Sequence, residues 1–328
     1  MTPTVDELLA SVRVVSLPLT TRFRGVTTRE AALLRGPEGW SEFSPFTEYD
    51  DAEAASWLAA AIDFGWWAAP PPLRTTIAVN ATLPAVAPDR VADVLDAFPG
   101  CRTVKVKVAE PSQVLADDVA RVAAARDYLG PDGRVRVDAN GGWTLDEAER
   151  AIHALAPYDL EYVEQPCARV DELAELRRRI RHLGVPVAAD ESIRKAEDPL
   201  AVARAGAADL IVVKAQPLGG IGAALRIVRD AGLPAVVSSA LDTSVGISMG
   251  AHLAAALPTL EFDCGLGTAA LLAADVTDAP LIPVGGVIPV QRVAVSDSLL
   301  SRYAAEPSRV EWWRDRIRRC HAVLAARS

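Results

Sequence analysis

The sequence predicts an α/β fold, a (β/α)7β TIM-like barrel with an α+β capping domain built from the N-terminal segment and the C-terminal tail. Three observations predict it. First, charged residues close short apolar runs at Lys107, Asp138, Glu164, Asp190 and Lys214, recurring every 24 to 31 residues. One strand-plus-helix unit occupies roughly 25–30 residues. Second, helix-like segments separate those runs. Third, the stretches 1–74 and 269–328 break the rhythm that 75–268 keeps. A doubly wound open sheet also puts its sites at strand ends. It reverses direction at a switch point, however, so five consecutive strand ends would not share one crevice.

Taken in order, Val12–Leu19 and Ala31–Phe43 look like antiparallel strands, and Ala52–Trp67 like an amphipathic helix. The barrel opens with Ile77–Leu83 as its first strand, followed by a helix near Ala87–Ala97. Thr103-Val-Lys-Val-Lys107 is the second strand, with a helix over about Ser112–Leu129, and Pro131-Asp-Gly marks the return to the third. Thr144-Leu-Asp-Glu has the form of an N-cap with an acid three positions later. Further strands end at Glu164, Asp190, Lys214 and Ser238-Ser239, with a last one at Leu260–Cys264. The tail carries Pro280, Pro283 and Pro289 before a helix near Pro307–Ala326. The two ends together would cover the barrel mouth, with Thr20–Gly25 as a substrate-contacting loop.

Composition bounds the function. Half of the 328 residues are apolar, enough for a sizeable core, and the net charge is −9. That charge, with no basic stripe interleaved with aromatics, argues against a nucleic-acid partner. No apolar run approaches the roughly 18 residues of a membrane span. Cys101, Cys167, Cys264 and Cys320 lie far apart without CxxC pairing and read as reduced thiols. The first residues lack the features of a signal peptide. A cytosolic enzyme acting on a small molecule is the expectation, and nothing in the sequence sets an oligomeric state.

Asp138, Glu164 and Asp190 are hard oxygen donors, suited to Mg²⁺ or Mn²⁺ and poorly to zinc. One acid at a strand end is often just an N-cap. Three in register on adjacent strands repel unless a cation or protons compensate them, so they are read as ligands of a divalent metal. Asn140 and Gln165 would support these ligands by hydrogen bonds. Glu191 is either a ligand or a bridge to a lysine, and the bridge is preferred. By the period of two, Lys105 and Lys107 share one face of their strand and Val104, Val106 and Val108 the other. Both lysines then point into the barrel, where Lys105 is assigned to substrate contact, and Lys214 follows another buried run. A lysine titrates near 10.4 in water and must fall from about that value to act as a base. A neighbouring cation pushes it that way. Such a site suits removal of a proton next to a carboxylate. Arg136, two before Asp138, is a further inward candidate. The tryptophan pairs Trp66-Trp67 and Trp312-Trp313 and the four histidines read as packing residues.

The series Lys105-Val-Lys107, Asp138-Ala-Asn140, Glu164-Gln-Pro166, Asp190-Glu-Ser192 and Lys214 resembles the muconate-lactonizing branch of the enolase superfamily. Gly39-Trp-Ser-Glu-Phe-Ser-Pro45 is similar to that family's cap signature, so the resemblance covers nearly the whole chain. It implies that Asp138, Glu164 and Asp190 bind Mg²⁺ and that Lys107 and Lys214 are the acid/base pair. It also implies that Ser238, Ser239 and Gly265 lie where the substrate's tail is bound. The runs Ser238–Gly246 and Asp263–Thr268 look most like those of the branch's dehydrating members. Racemases and epimerases of the branch use the same five residues and stay open as alternatives. From another class, the chain would be a catalytically silent barrel used as a binding module, which would have no reason to retain all five groups.

Overall fold

The computed structural model describes residues 2–23, 25–194 and 198–327. The chain begins with α1 (Val5–Ser11), β1 (Arg13–Phe23), β2 (Val26–Gly36), β3 (Gly39–Phe43) and α2 (Asp51–Trp66). The three strands form an antiparallel meander, with Arg13 opposite Leu33 and Ala32 opposite Phe43. The turn at Gly36 must be glycine, because a Cβ there would meet the Gly65 carbonyl oxygen at 2.1 Å. Asp50 starts α2, its Oδ1 accepting from the Glu53 amide at 2.8 Å, which satisfies one of the helix's orphan donors.

The alternating part follows: β4 (Thr76–Ala78), β5 (Ala81–Leu83), α3 (Val91–Leu95), β6 (Thr103–Lys107), α4 (Leu115–Leu129), β7 (Arg134–Asp138), α5 (Leu145–Leu155), β8 (Leu160–Glu164) and α6 (Val170–Ile180). It continues through β9 (Val187–Ala189), α7 (Glu191–Arg194), α8 (Ala201–Arg204), β10 (Leu210–Val213), α9 (Ile221–Ala231), β11 (Ala235–Val237) and α10 (Ser244–Ala256). The tail holds β12 (Val287–Pro289), α11 (Asp297–Arg302) and α12 (Pro307–Arg327). As expected from Thr144-Leu-Asp-Glu, the Glu147 carboxylate accepts from the Thr144 amide at 2.9 Å at the start of α5.

Strands β5 to β11 form one parallel sheet in sequence order, and this sheet curls towards closure. Cys264 and Gly265 bridge its two edges. The Cys264 amide donates to Ala78 O at 2.8 Å and its carbonyl accepts from the Asn80 amide at 2.9 Å, while the Gly265 amide donates to Val237 O at 2.8 Å and its carbonyl accepts from the Ser239 amide at 3.0 Å. Two expectations need correction here. The last strand is not Leu260–Cys264 but this pair of residues, because closure needs only the ladder that reaches both edges. The first strand is broken between β4 and β5: β4 pairs antiparallel with β12 of the tail, and only its last carbonyl, at Ala78, reaches the barrel's closing residue Cys264.

The period of two sorts the barrel side chains as predicted. Val104, Val106, Val135, Val137, Val163, Val187, Ile211 and Val213 face outward into the main core beneath the helices. Tyr162, Ala188, Leu210, Val212 and Val236 face inward as a separate small cluster, joined by Phe262. Burying each valine or leucine contributes about 1.5–3 kcal/mol, which fixes the register and hence which residues look into the barrel.

A third group of buried residues, from Leu8, Val14, Leu34, Phe43, Trp57 and Leu58 to Trp313, Ile317 and Cys320, joins the first 62 residues to α12. The cap sits on the barrel's carboxyl end through a polar joint. Glu42 of β3 is fully buried and accepts from the Thr243 amide at 3.1 Å, Thr243 Oγ1 at 2.5 Å and the Gly246 amide at 3.0 Å, at the first turn of α10. A carboxylate at a helix N-terminus meets unpaired N–H donors and the positive end of the helix dipole. Trp313 is buried, with Nε1 donating to Glu30 at 2.9 Å. No described helix is long and apolar enough to cross a membrane, and all four cysteines are free.

Candidate active site

Parallel pairing puts Lys107 opposite Asp138 and Asp138 opposite Glu164, so the carboxyl ends of β6, β7 and β8 present their charges side by side. Asp190 follows β9 and Lys214 follows β10 on the same inward face. β6 and β10 stand four strands apart in an eight-membered ring, so the two lysines flank the acids from opposite sides. The three acids are almost wholly buried and each is paired. Lys107 Nζ lies 2.5 Å from Asp138 Oδ2, and Lys105 Nζ lies 3.2 Å from the same oxygen. Lys105 also donates to both oxygens of Glu164, at 2.8 and 2.9 Å, and Lys214 donates to Asp190 Oδ2.

This crowding sets the electrostatics. Burial opposes ionisation of Asp138, but Lys107 and Lys105 outweigh it and hold its carboxyl below the usual range. Burial likewise opposes ionisation of Asp190, and Lys214 and Arg194 win there. Glu164 is pushed up, by burial and then by the Asp138 charge, whereas Lys105 is held up by Glu164 and Asp138 against its own burial. The two shifts on that pair point to different proton positions. Contact of Lys105 with both oxygens favours the ionised pair, and the upward pull on Glu164 comes first from its burial and then from the Asp138 charge. Lys107 is pulled down from its ordinary value by burial, with the Lys105 ammonium adding to it and Asp138 opposing.

Among the described residues no group of three or more His, Cys, Asp or Glu side chains is gathered as a ready-made ligand set. The acids turn to lysines instead. The donor chemistry nonetheless fits a hard divalent cation: three buried carboxylates on neighbouring strand ends offer only oxygen.

Supporting residues hold these ends in place. Asn140, at φ +47°, accepts from Lys107 at 2.7 Å and donates to Glu191 at 3.2 Å, while its amide donates to Asp138 Oδ1 at 3.0 Å. Gln165 braces Asp190: its Oε1 accepts from the Asp190 amide at 2.9 Å and the Ser192 amide at 3.2 Å. Arg121 of α4 is buried and donates to the Lys107 carbonyl at 2.8 Å. Among the described residues Glu191 touches no lysine directly. It accepts from Arg194 at 2.6 Å and from Asn140, so the bridge expected of it runs to an arginine.

Asp138, Asp190 and the three lysines line one cavity, with Glu164 behind Lys105. Ser238, Ser239, Thr82 and Thr268 share its wall with the aromatic side chains of Phe23, Phe46, Tyr49 and Trp57 from the cap. Ser239 Oγ donates to Gly265 O at 2.7 Å and lies 2.7 Å from Thr268 Oγ1. Gly265 stands behind the serines: a Cβ there would meet Ser238 Oγ at 2.4 Å. Gly265→Ala is therefore expected to displace the Ser238 hydroxyl, lower kcat/KM by raising KM, and destabilise the fold by about 1–3 kcal/mol. Steady-state kinetics with thermal unfolding checks this. Unchanged KM would show that the serine wall does not contact substrate.

Not every candidate lies here. Arg136 points inward but sits deeper, stacked 4.8 Å over the Tyr162 ring and paired with Glu161 at 2.6 Å. Of the stretch Thr20–Gly25, expected as a loop, Thr20–Phe23 is instead the end of β1, Phe23 reaches the cavity, and Arg24 lies outside the described residues. His252 packs against Phe64 with ring centroids 5.3 Å apart, as a packing residue does. The residues missed from sequence are Arg194 and the cap aromatics. Arg194 carried one usable signal, its position one helical turn after Asp190.

Residues 89–294 match the family model described as enolase C-terminal domain-like, and residues 14–65 the one described as enolase N-terminal domain-like. The chain is 55% identical over 326 residues to an o-succinylbenzoate synthase from Mycobacterium ulcerans (strain Agy99), covering 99% of this chain and 98% of that one. It is 56% identical over 314 residues to an o-succinylbenzoate synthase from Thermobifida fusca (strain YX), covering 95% and 96%. Among solved structures it is similar to muconate lactonizing enzyme from Pseudomonas fluorescens complexed with muconolactone. The TM-score is 0.77 and the identity 20%, with 90% of this chain and 98% of that chain covered. The L-Ala-D/L-Glu epimerase from Bacillus subtilis is similar at TM-score 0.73 and 23% identity, with 87% and 98% covered. At these identities the structures speak to fold alone.

Proposed function

The chain belongs to the o-succinylbenzoate synthase family of the enolase superfamily, which makes it a lyase, and we propose that its reaction is the dehydration of 2-succinyl-6-hydroxy-2,4-cyclohexadiene-1-carboxylate to 2-succinylbenzoate on the route to menaquinone. The observation that carries this reading is the opposed pair Lys107 and Lys214 across three buried acids, in a cavity with an aromatic wall.

Asp138, Glu164 and Asp190 would hold the divalent cation that superfamily membership implies, Mg²⁺ or Mn²⁺, which when bound supplies fixed positive charge beside the substrate carboxylate. Lys107, its pKa pulled down by burial and Lys105, removes the proton at the carbon bearing that carboxylate. The electrons move into the carboxyl group as an enediolate. They return to break the bond from the neighbouring carbon to its hydroxyl. Lys107 passes the proton it took to that hydroxyl, which leaves as water, and the ring becomes aromatic. Lys214 stays an ammonium on the other face and offsets the developing negative charge. Asn140 keeps Lys107 in place, Lys105 contacts the substrate, and Ser238, Ser239 and Gly265 form the wall for the succinyl tail. The working domain division is 1–74 and 269–328 for the cap and 75–268 for the barrel, and the site is that of a cytoplasmic enzyme acting on a small carboxylate.

The opposed lysines also suit the racemisation of N-succinylamino acids, in which both faces of one carbon meet a proton-transfer group. Dehydration is preferred because the relatives at over half identity carry the synthase name. Incubating the purified protein with the cyclohexadiene substrate tests it: the aromatic product should accumulate, and its absence with Mg²⁺ present would overturn the reading.

A further inference from the structure

We propose that Arg194 is a positioning residue that ties the two lysine arms of the site to each other and to the cap. Its side chain is 4% exposed, and each edge of its guanidinium has a different task. Nε donates to Asp190 Oδ1 at 3.2 Å, on the carboxylate whose other oxygen accepts from Lys214. Nη2 donates to Glu191 Oε1 at 2.6 Å, and that same oxygen accepts from Asn140, whose own carbonyl accepts from Lys107. Nη1 faces the cap, 3.3 Å from the Tyr49 hydroxyl and 3.9 Å from Glu53 of α2. A continuous chain of contacts therefore runs from Lys107 through Asn140, Glu191, Arg194 and Asp190 to Lys214. It passes along the cap side of the acids, separate from the route through Lys105 and Glu164.

Only a planar, five-donor cation can serve three directions at once. A lysine at this place would keep the charge but could not hold Asp190, Glu191 and Tyr49 together. Glu191 Oε2 has no hydrogen-bond partner among the described residues, so Glu191 depends on Oε1 for its orientation. Releasing it would let Asn140 turn and Lys107 leave its aim. Releasing Asp190 would do the same to Lys214. The cap enters through Tyr49, which sits in the cavity wall beside Phe46 and Trp57. Seating the cap thus orders Arg194, and Arg194 orders both lysines.

The inference rests on the catalytic reading of the lysines, and its test separates the two. Arg194→Lys should lower kcat by roughly 10- to 100-fold, the range for partners that orient reacting or ligating groups, while KM changes by less than about threefold. Tyr49→Phe removes one of the two cap contacts and should lower kcat less. Combining the two should cost no more than Arg194→Lys by itself, because both act through one guanidinium. Turnover like the parent's in Arg194→Lys, or losses that simply add in the double variant, overturns the proposal. Should the lysine variant fail to fold, Tyr49→Phe combined with Glu53→Gln decides, and parent-like turnover in that pair overturns the proposal. Lys107→Ala is assayed in parallel. If it stays active, the catalytic reading fails; if it is inactive while Arg194→Lys is normal, only the role of Arg194 fails.

Discussion

Replacing Lys107 by alanine is expected to lower turnover by at least roughly 10²–10⁴-fold, the contribution of a positioned general acid/base, with far less change in substrate binding. The expectation follows from its position. Lys107 ends β6 with Nζ 2.5 Å from Asp138 and 2.7 Å from Asn140, so it is aimed rather than free. Its pKa is drawn down by burial and by the neighbouring ammonium of Lys105. The lysine is asked to take the proton and to return it to the leaving hydroxyl, so its loss removes both transfers. Rapid-quench and steady-state rates on the folded variant check this. Near-parent turnover would make Lys107 a bystander and move the base to Lys214.

Removing the divalent cation is expected to abolish turnover altogether, and added Mg²⁺ should restore it. Asp190→Ala should behave like the chelated enzyme while remaining folded. The physical reason is the burial of three oxygen-donor acids side by side at the strand ends. Asp138, Glu164 and Asp190 are buried together, and Glu164 is pushed towards its neutral form by burial and by Asp138. The lysines satisfy these acids in the described arrangement, so the cation-free protein should keep its fold, because each acid retains a partner. What it loses is the positive charge beside the substrate carboxylate. An α-proton next to a bare carboxylate is too weakly acidic for an amine to remove. Full activity in excess chelator would sink the metal assignment, and unfolding on chelation would show that the lysine pairs do not suffice.

Much of this site was legible in the sequence because strand ends obey a rigid rule. In Thr103-Val-Lys-Val-Lys107 the valines and lysines alternate. Once the valines are committed to the helix layer, both lysines must look into the barrel. The same rule carries Asp138, Glu164, Asp190 and Lys214. What escaped depends on contacts between elements that share no period. Phe46, Tyr49 and Trp57 lie in a loop and a helix of the cap, where an aromatic residue reads as core until the cap is seated on the barrel. Arg194 lies on a helix too short to show a pattern, and its partners come from two separate parts of the fold. The contact from Arg194 to Glu191 went unseen for the same reason. The barrel's ends were misread because closure, not propensity, selects which residues pair. Two residues at Cys264-Gly265 suffice, and Thr76–Ala78 is taken by the tail.

The central claim, that this site dehydrates a cyclohexadiene carboxylate, is tested most directly by one partition experiment. The purified, Mg²⁺-loaded protein is incubated in heavy water with the cyclohexadiene substrate and, separately, with a set of N-succinylamino acids. Formation of 2-succinylbenzoate is compared with exchange of the amino-acid α-proton. The account predicts rapid aromatic product with slow or absent exchange, and weak exchange beside strong dehydration agrees with it, since both use the same lysines. Efficient exchange with negligible dehydration would contradict it.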